Sequence, residues 1–529
     1  MRRIIAMAAT VALAAGGVLS APTATADEST PTQDPSAPAV TDAPVETVPL
    51  PVIPETDAVA PAPLTALATA RRVLSGQALP RDPSATIALR DLFMVRARLD
   101  GRERRQANAL LARPTDGPTD GPVGGYTAPS SAICNTRLCL HSVATVGNVD
   151  YIDPAWAAHS LAVMDSVWAT EVDSMGYRAP LQDGTRGGSP LFDVYLKDLG
   201  GQLYGYCSAE SRGPRRTAKG FCVLDNDFSA AQFPGPAGPD GNLRVTAAHE
   251  FFHAVQYAYD YAEDPWMMES TATWMEERIA SDVDDNRQYL PYGQLYAPFI
   301  PLDFFSSNSF YQYGNWIFWE YLSQRYGTSI VNKAWSQAGS LRQDGGKYSF
   351  EALQKVLKRK GGLTKVYTQF AGGNLVPAST YDEGTFYPSP KVKRAKVLTK
   401  KRRGKRYATK LFHMSSTSFR FVSGSGLGSK KWKLALKIAG PDKRTAPAAH
   451  VVIHQTDGGV QRRFVKLNGR GDRSLKVAFG NKKVAAVSVT LVNASTRMRC
   501  NKRTVLACGG RPLDDRVRFA VTARVVKGG

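Results

Sequence analysis

The chain has 529 residues, which is too long for one compact core and indicates two or three folded units. From Lys391 onward there are 35 Lys and Arg against five Asp, a net charge of +30 against +21 for the whole chain, so the first 390 residues carry −9. This division marks a domain boundary near residue 389. No segment beyond the first residues is long and apolar enough to cross a membrane, which argues against a transmembrane protein.

Residues 1–26 have the pattern of a secretory signal peptide. Arg2 and Arg3 precede an apolar run, and Ala24-Thr25-Ala26 forms a small-residue cleavage site. The alternative, a membrane anchor, is disfavoured because the apolar run ends near Leu19 and is short for a bilayer span. We therefore expect a secreted, extracellular protein.

Six cysteines agree with export, because an oxidising compartment allows them to pair. Nearness in sequence suggests one of the fifteen formal pairings. The suggested disulfides are Cys134–Cys139, Cys207–Cys222 and Cys500–Cys508. A zinc site of Cys134, Cys139 and His141 is the alternative for the first pair, and it is less typical of a secreted chain.

The region before residue 121 divides into two parts. Residues 27–62 are rich in Pro, Thr, Ala and acids with almost no bulky side chains, which predicts a disordered linker. Residues 63–120 have helical periodicity, and two short amphipathic helices broken at Pro80 and Gly101 fit it. This helical region is interpreted as prosegment-like, with a helical subdomain packed on the next unit as the alternative.

The remaining chain predicts an α+β domain over residues 121–388 and an all-β sandwich over residues 389–529. In the first, a helix at 154–174 and strands at 192–196 and 220–224 precede helices around 249–253, 267–280 and 311–325. In the second, short alternating runs such as KWKLALKI and AAVSVTLV are separated by Gly, Asn and Asp turns.

The most informative motif is His249-Glu250-Phe251-Phe252-His253. Histidines four residues apart lie on one face of a helix, one turn apart, which is the spacing that holds one metal ion from a rigid element. Glu250 projects towards the same region and can accept a proton from a water that the metal activates. A buried polar cluster without metal and a metal-binding domain without catalysis are the competing interpretations.

A catalytic zinc takes three protein ligands and keeps one open position. The next predicted helix offers Glu269, Glu276 and Glu277. Glu269 lies near the start of that helix, facing back towards the first one, and is the expected third ligand. Glu276 is two turns further on the same face, where it can hydrogen-bond a ligand histidine.

The two helices together resemble the zincin metallopeptidases of the gluzincin type. The resemblance rests on HEFFH followed by Trp266-x-x-Glu269-x-x-Ala272 and an acid, Glu276, seven residues after Glu269. The chain is also similar to a group of secreted bacterial metallopeptidase-like proteins, over roughly residues 190–330. The resemblance implies a zincin-like domain that binds Zn²⁺ through His249, His253 and Glu269.

The resemblance also implies a reaction and its further residues. Glu250 would be the general base in the hydrolysis of peptide or protein substrates. Tyr311 resembles the tyrosine that stabilises the transition state in gluzincin aminopeptidases, and Tyr313 is the competing choice. Zincins bind substrate as an added strand at a sheet edge, and residues 220–224 are the expected edge strand.

The basic C-terminal region suggests a second function. Its run KVKRAKVLTKKRRGKR (391–406) would indicate nucleic acid in an intracellular protein, but export argues against that partner. Anionic cell-wall polymers are the expected partners instead, held by salt-sensitive electrostatics, and would make the protein cell-wall associated. The alternative to a peptidase is a catalytically silent zinc-binding domain whose basic sandwich carries the function.

Overall fold

The computed structural model describes residues 62–77, 84–117, 124–201, 203–305, 309–338, 348–388, 391–502 and 504–528. All of them belong to the larger of the two units into which the chain divides, Pro49–Gly529. The predicted signal peptide and all of the predicted linker except Ala62 lie outside the described residues. Across the described part, no helix combines the length and apolarity needed to span a membrane.

The described part of the N-terminal region contains three α-helices, where two were predicted. They are α1 (Pro63–Leu74), α2 (Ala85–Val95) and α3 (Gly101–Leu110). The predicted break at Pro80 lies outside the described residues, whereas Gly101 begins α3 with a positive φ of 46°. Apolar side chains of α1 and α2 are buried in the same core as the following domain, so the three helices are not a separate appendage.

The following domain begins with a five-stranded sheet and one long helix. These elements are β1 (Ser130–Cys134), β2 (Leu138–Val143), α4 (Pro154–Trp168), β3 (Phe192–Lys197), β4 (Gly205–Arg212) and β5 (Ala218–Asp225). The predicted helix at 154–174 is present, with a final π-helical turn at Ala169–Ser174. Asp153 caps α4 by accepting a hydrogen bond from the Ala155 N–H, and Pro154 fits its first position.

The strand order is β1-β2-β3-β5-β4, which corrects the expected substrate strand. Strand β5, which contains residues 220–224, lies between β3 and β4 and pairs with both. Its backbone groups are therefore already hydrogen-bonded on both sides. Strand β4, antiparallel to β5, forms one edge of this sheet.

Among the described residues, a series of α-helices follows the sheet and carries the predicted site. They are α5 (Gly238–Tyr257), α6 (Pro265–Ile279), α7 (Tyr311–Gly314), α8 (Trp316–Tyr326), α9 (Ser329–Ala338), α10 (Ser349–Leu357) and α11 (Leu363–Gly373). Helix α5 packs on β4, β5 and α6. The predicted helix at 311–325 is interrupted at Asn315, whose buried side chain bonds the backbone of Gln294 and Leu302. The mixed α and β composition is as predicted.

The C-terminal region is rich in β structure, as predicted. Its strands are β6 (Arg394–Leu398), β7 (Gly404–Leu411), β8 (Ser415–Ser423), β9 (Trp432–Ala439), β10 (Pro447–Gln455), β11 (Val460–Lys466), β12 (Asp472–Ala478), β13 (Val484–Asn493), β14 (Met498–Arg499), β15 (Arg511–Pro512) and β16 (Val517–Lys527). Two sheets, ordered β11-β10-β13-β8-β6 and β12-β9-β16-β7, enclose one apolar core. Strands β14 and β15 form a small separate ribbon.

Buried polar contacts join the sandwich to the helical domain. Asp264, the residue before α6, accepts a hydrogen bond from the Cys508 N–H at 2.6 Å. Asp303 accepts one from the Ala507 N–H at 2.9 Å and also bonds Nε2 of His413 at 2.8 Å. The other ring nitrogen of His413 bonds Asp515. These contacts satisfy both carboxylate oxygens of Asp303 and both ring nitrogens of His413.

All three predicted disulfides are present: Cys134–Cys139, Cys207–Cys222 and Cys500–Cys508. The first excludes a zinc site at Cys134 and Cys139, because both sulfurs are bonded to each other. The second joins β4 to β5 beneath α5, where Sγ of Cys207 lies against the Glu250 carbonyl. Three disulfides are compatible with an extracellular protein.

Candidate metal centre

Helices α5 and α6 bring two imidazoles and one carboxylate to a common point. His249 and His253 lie one turn apart on α5, and Glu269 lies on α6 opposite them. One ligand atom from each falls within 4.8 Å of the other two. Oε2 of Glu269 is 3.3 Å from Nε2 of His249, and Oε1 is 3.8 Å from Nε2 of His253. A tetrahedral zinc with bonds of about 2 Å separates its ligands by about 3.3 Å, so these separations suit one ion.

The outer nitrogen of each imidazole is held by a buried partner. Nδ1 of His249 lies 2.6 Å from Oε1 of Glu276, the residue predicted for this position. Nδ1 of His253 lies 2.8 Å from Oε1 of Gln256. The amide nitrogen of Gln256 donates to the Met268 carbonyl, so its oxygen must accept from the ring. Nδ1 of His253 therefore carries the proton, and its Nε2 faces the shared point as a lone pair.

Buried polar atoms that have no hydrogen-bond partner indicate whether a metal ion fits between these residues. In the described part of the chain, Nε2 of His253 and Oε2 of Glu269 are buried and make no hydrogen bond. A buried imidazole nitrogen and a buried carboxylate oxygen are costly to leave unpaired. Two imidazole nitrogens and one carboxylate oxygen are also the donor set of a catalytic zinc site. The residues present therefore fit Zn²⁺.

The charges around the site are strongly coupled. Burial raises the pKa of the Glu269 carboxyl, but the neighbouring His253 and His249 outweigh it and lower that pKa to about 2. Burial lowers the pKa of His249, but the neighbouring carboxylates of Glu269 and Glu276 raise it well above its ordinary value. Burial raises the pKa of Glu276 to about 7, against the hydrogen bond from His249. The site therefore presents an ionised Glu269 to a cation.

The predicted general base is present but covered. Glu250 is only 8% exposed, and its Oε2 accepts a 2.8 Å hydrogen bond from the hydroxyl of Thr86 on α2. The Ser84 hydroxyl, which caps α2 by accepting from the Ile87 N–H, donates to Oε1 of Glu269 at 2.6 Å. The N-terminal helices therefore lie directly on the carboxylates of the site.

The structure corrects the choice of tyrosine. Tyr311 points away from the triad, donates its hydroxyl proton to the Ile300 carbonyl at 2.9 Å and packs against Phe304. It is a buried aromatic core residue. Tyr313 instead stacks near His249, with ring centroids 5.9 Å apart. Burial raises the pKa of Tyr313 well above its ordinary value, with the nearby Glu269 acting in the same direction.

Several site residues were not predicted from sequence. Gln256 follows His253 by three residues on the same helix, and that spacing was the available signal. Ser84 and Thr86 contact residues 185 and 164 positions away, and no local pattern reveals such contacts. Glu277, the third acid of α6, bonds Asn286 and takes no part in the triad.

Comparison with known proteins adds little to this geometry. Residues 240–355, which include both metal helices, match a family described as "Family of unknown function (DUF6055)". No curated protein matches the chain. A solved structure described as a novel family GH115 4-O-methyl-alpha-glucuronidase, BtGH115A, with specificity for decorated arabinogalactans, is 10% identical over 68% of this chain, with a TM-score of 0.14. The chain spans about half of that structure, 54%, and the likeness is too weak to indicate a shared fold.

Proposed function

We propose that this chain is a secreted zinc-dependent peptidase. The single observation that carries the proposal is the convergence of His249, His253 and Glu269 with buried atoms that have no other partner. Two supports come from the surroundings: Glu276 and Gln256 orient the imidazoles, and Glu250 lies between the two histidines in sequence. Such an arrangement serves hydrolysis by activated water.

In this proposal each residue has a defined task. A bound zinc ion would polarise a substrate carbonyl and make water acidic near neutral pH. His249, His253 and Glu269 hold the cation, while Glu250 accepts the proton of the attacking water and passes it to the leaving amine. Tyr313, kept protonated by burial, donates a hydrogen bond to the developing oxyanion.

The decisive experiment combines metal analysis with hydrolysis of a peptide library. We expect one zinc per chain, lost in His253→Ala and retained in Glu250→Gln. Hydrolysis should fall by about 10²–10⁴-fold in Glu250→Gln. Glu277→Gln is the matched control, because Glu277 lies on α6 and bonds Asn286 outside the triad.

Because α2 covers the site, hydrolysis should be measured twice. One sample is the intact chain, and the other carries a specific protease site inserted between the exposed residues Thr115 and Asp116 and is cut there. Bound zinc without hydrolysis in either sample would favour the catalytically silent alternative. Absence of bound zinc would reject the metal centre itself.

A second candidate function concerns one face of the sandwich. In the sheet β12-β9-β16-β7, paired residues share a face, and the solvent side collects seven cations. They are Arg406, Lys410, Lys433, Lys437, Lys476, Arg518 and Arg524. Asp472 is the one carboxylate among the outward positions of these four described strands.

The shape of this face suits an extended polyanion. Small residues such as Ala408, Ala435 and Ser474 separate the cations. A depression of about 330 Å³ is lined by Lys437, Lys476 and Arg524. Cations on adjacent strands are about 5–10 Å apart, close to the Debye length, so their potentials add. We propose that this face attaches the protein to an anionic cell-wall polymer.

The attachment is tested with a soluble poly(glycerol phosphate) as probe. Lys437→Glu with Arg524→Glu should weaken binding and flatten its dependence on salt. Arg463→Glu with Lys466→Glu changes the net charge equally on the other sheet and serves as the control. Equal loss in both double variants would show that net charge alone, and not this face, attracts the polymer.

A further inference from the structure

The N-terminal helices hold both functional carboxylates through hydroxyl groups. Thr86 donates to Glu250 at 2.8 Å and at the same time accepts from the Cys207 N–H at 2.9 Å. Ser84 donates to Glu269 at 2.6 Å. Thr86 is 2% exposed, so its two hydrogen bonds are sealed from solvent. A water between Glu250 and a substrate carbonyl would have to displace the Thr86 hydroxyl.

The same helices cover the open edge of the sheet. Helix α2 packs along β4, the edge strand beside α5. The Cys207 N–H on that edge is bonded by Thr86, and the Glu210 carbonyl accepts a 2.9 Å hydrogen bond from Arg96. Extended peptides bind sheet edges through such backbone groups. Side chains from the N-terminal helices therefore already form hydrogen bonds with backbone groups of β4 that a bound peptide strand would need.

Two further features anchor these helices. Ile87, Leu89 and Leu92 of α2 are buried at 1%, 0% and 0% exposure. Arg113, just beyond α3, is 2% exposed and forms ion pairs with Asp183, Asp193 and Glu210. Removing one partner of a buried ion pair is strongly destabilising. The ion pairs of Arg113 therefore fix the C-terminal end of the segment. The cover is thus held at its C-terminal end by Arg113 and over its apolar face by α2.

We propose that residues 63–77 and 84–113 form an autoinhibitory segment, which keeps the peptidase latent by bonding Glu250 and Glu269 and by covering the β4 edge. The inference rests on the proposed function and names the regulation of the same site. The proposal gives the helical region, which the sequence predicts to be prosegment-like, a defined mode of inhibition. The segment must withdraw from the cleft before a peptide carbonyl reaches the triad, because Glu250, His253 and Glu269 are 8%, 0% and 0% exposed.

The first test removes the two hydroxyl contacts without changing the apolar packing. Ser84→Ala with Thr86→Val is compared with Ser75→Ala with Thr65→Val, which makes the same changes in the same segment away from the site. The intact zinc-loaded chains are mixed with a chromogenic chelator, and the rate of zinc extraction is measured. A hydrogen bond to a charged group contributes enough that we expect extraction and peptide hydrolysis to rise about ten- to hundred-fold.

The second test does not depend on the folding of a variant. The chain with the inserted protease site between Thr115 and Asp116 is cut after purification. A chain with the same insertion between Asp457 and Gly458, in an exposed turn of the sandwich, is the control. We expect only the first cut to accelerate zinc extraction and hydrolysis.

The outcomes separate this inference from the proposed function. Faster zinc extraction after cutting, with no hydrolysis, would support the cover and reject the peptidase. Equal hydrolysis by cut and intact chains would retain the peptidase and overturn the autoinhibition. A fall in hydrolysis in Ser84→Ala with Thr86→Val would also overturn it, because the hydroxyls would then serve the active enzyme.

Discussion

Replacing Gln256 by methionine tests whether the buried amide holds His253 in place for the metal. The substitution keeps the length of the side chain but removes its 2.8 Å contact with Nδ1 of His253 and its 2.9 Å bond to the Met268 carbonyl. Loss of a partner that orients a ligand histidine lowers metal affinity by about 10–100-fold. That corresponds to about 1.4–2.7 kcal/mol of zinc binding free energy. The His253 Nδ1–H left unpaired also costs about 1–3 kcal/mol in the free energy of unfolding.

Two measurements separate these effects. Zinc affinity is determined by competition with a chelator of known affinity, and thermal unfolding is followed with and without zinc, since an ion that binds only the folded state raises stability. Gln288→Met is the control, because Gln288 is exposed and bonds only Asp285 among the described contacts. If Gln256→Met lowered stability but left the zinc affinity within twofold of the parent, the argument that Gln256 orients the imidazole would be wrong.

Three further results are expected. Asp303 and Asp515 overcome burial and raise the pKa of His413 to about 9, above the ordinary 6.5, so its stabilisation is complete below pH 6.5 and is lost as pH rises through 9. The free energy of unfolding should fall by on the order of 3 kcal/mol between pH 6 and pH 10. His413→Gln should abolish this dependence on pH. Cys207→Ser with Cys222→Ser opens a loop with a sequence separation of 15 and should cost about 3 kcal/mol in a denaturant titration. Tyr313→Phe should lower kcat about 10²–10³-fold, whereas a drop of that size in Tyr311→Phe would contradict the placement of the two rings.

Local chemistry explains what the sequence predicted well. The spacing of His249 and His253 implies one helical face, and Glu269 and Glu276 follow with a spacing that places them on the facing helix. The three disulfides link cysteines near in sequence, so proximity sufficed. The alternating strands of the sandwich were also recognisable, because each presents a two-residue period.

What was missed depends on contacts between distant parts of the chain. The β4 strand is the sheet edge because β5 inserts between β3 and β4, and no residue of 220–224 encodes that order. The helix predicted at 311–325 is interrupted by the tertiary bonds of Asn315, and this places Tyr313 rather than Tyr311 beside His249. The contacts of Thr86 likewise arise only when α2 reaches β4 and α5.

The hydrogen bond from the Cys508 N–H to Asp264 affects how truncated forms of the protein behave. Asp264 immediately precedes the helix that carries Glu269, and the donor belongs to a loop closed by the Cys500–Cys508 disulfide. A shortened expression product ending before residue 391 would leave Oδ1 of Asp264 and both carboxylate oxygens of Asp303 without these partners. Loss of zinc in such a truncated product would reflect a loosened α6 and could not be ascribed to missing polymer attachment.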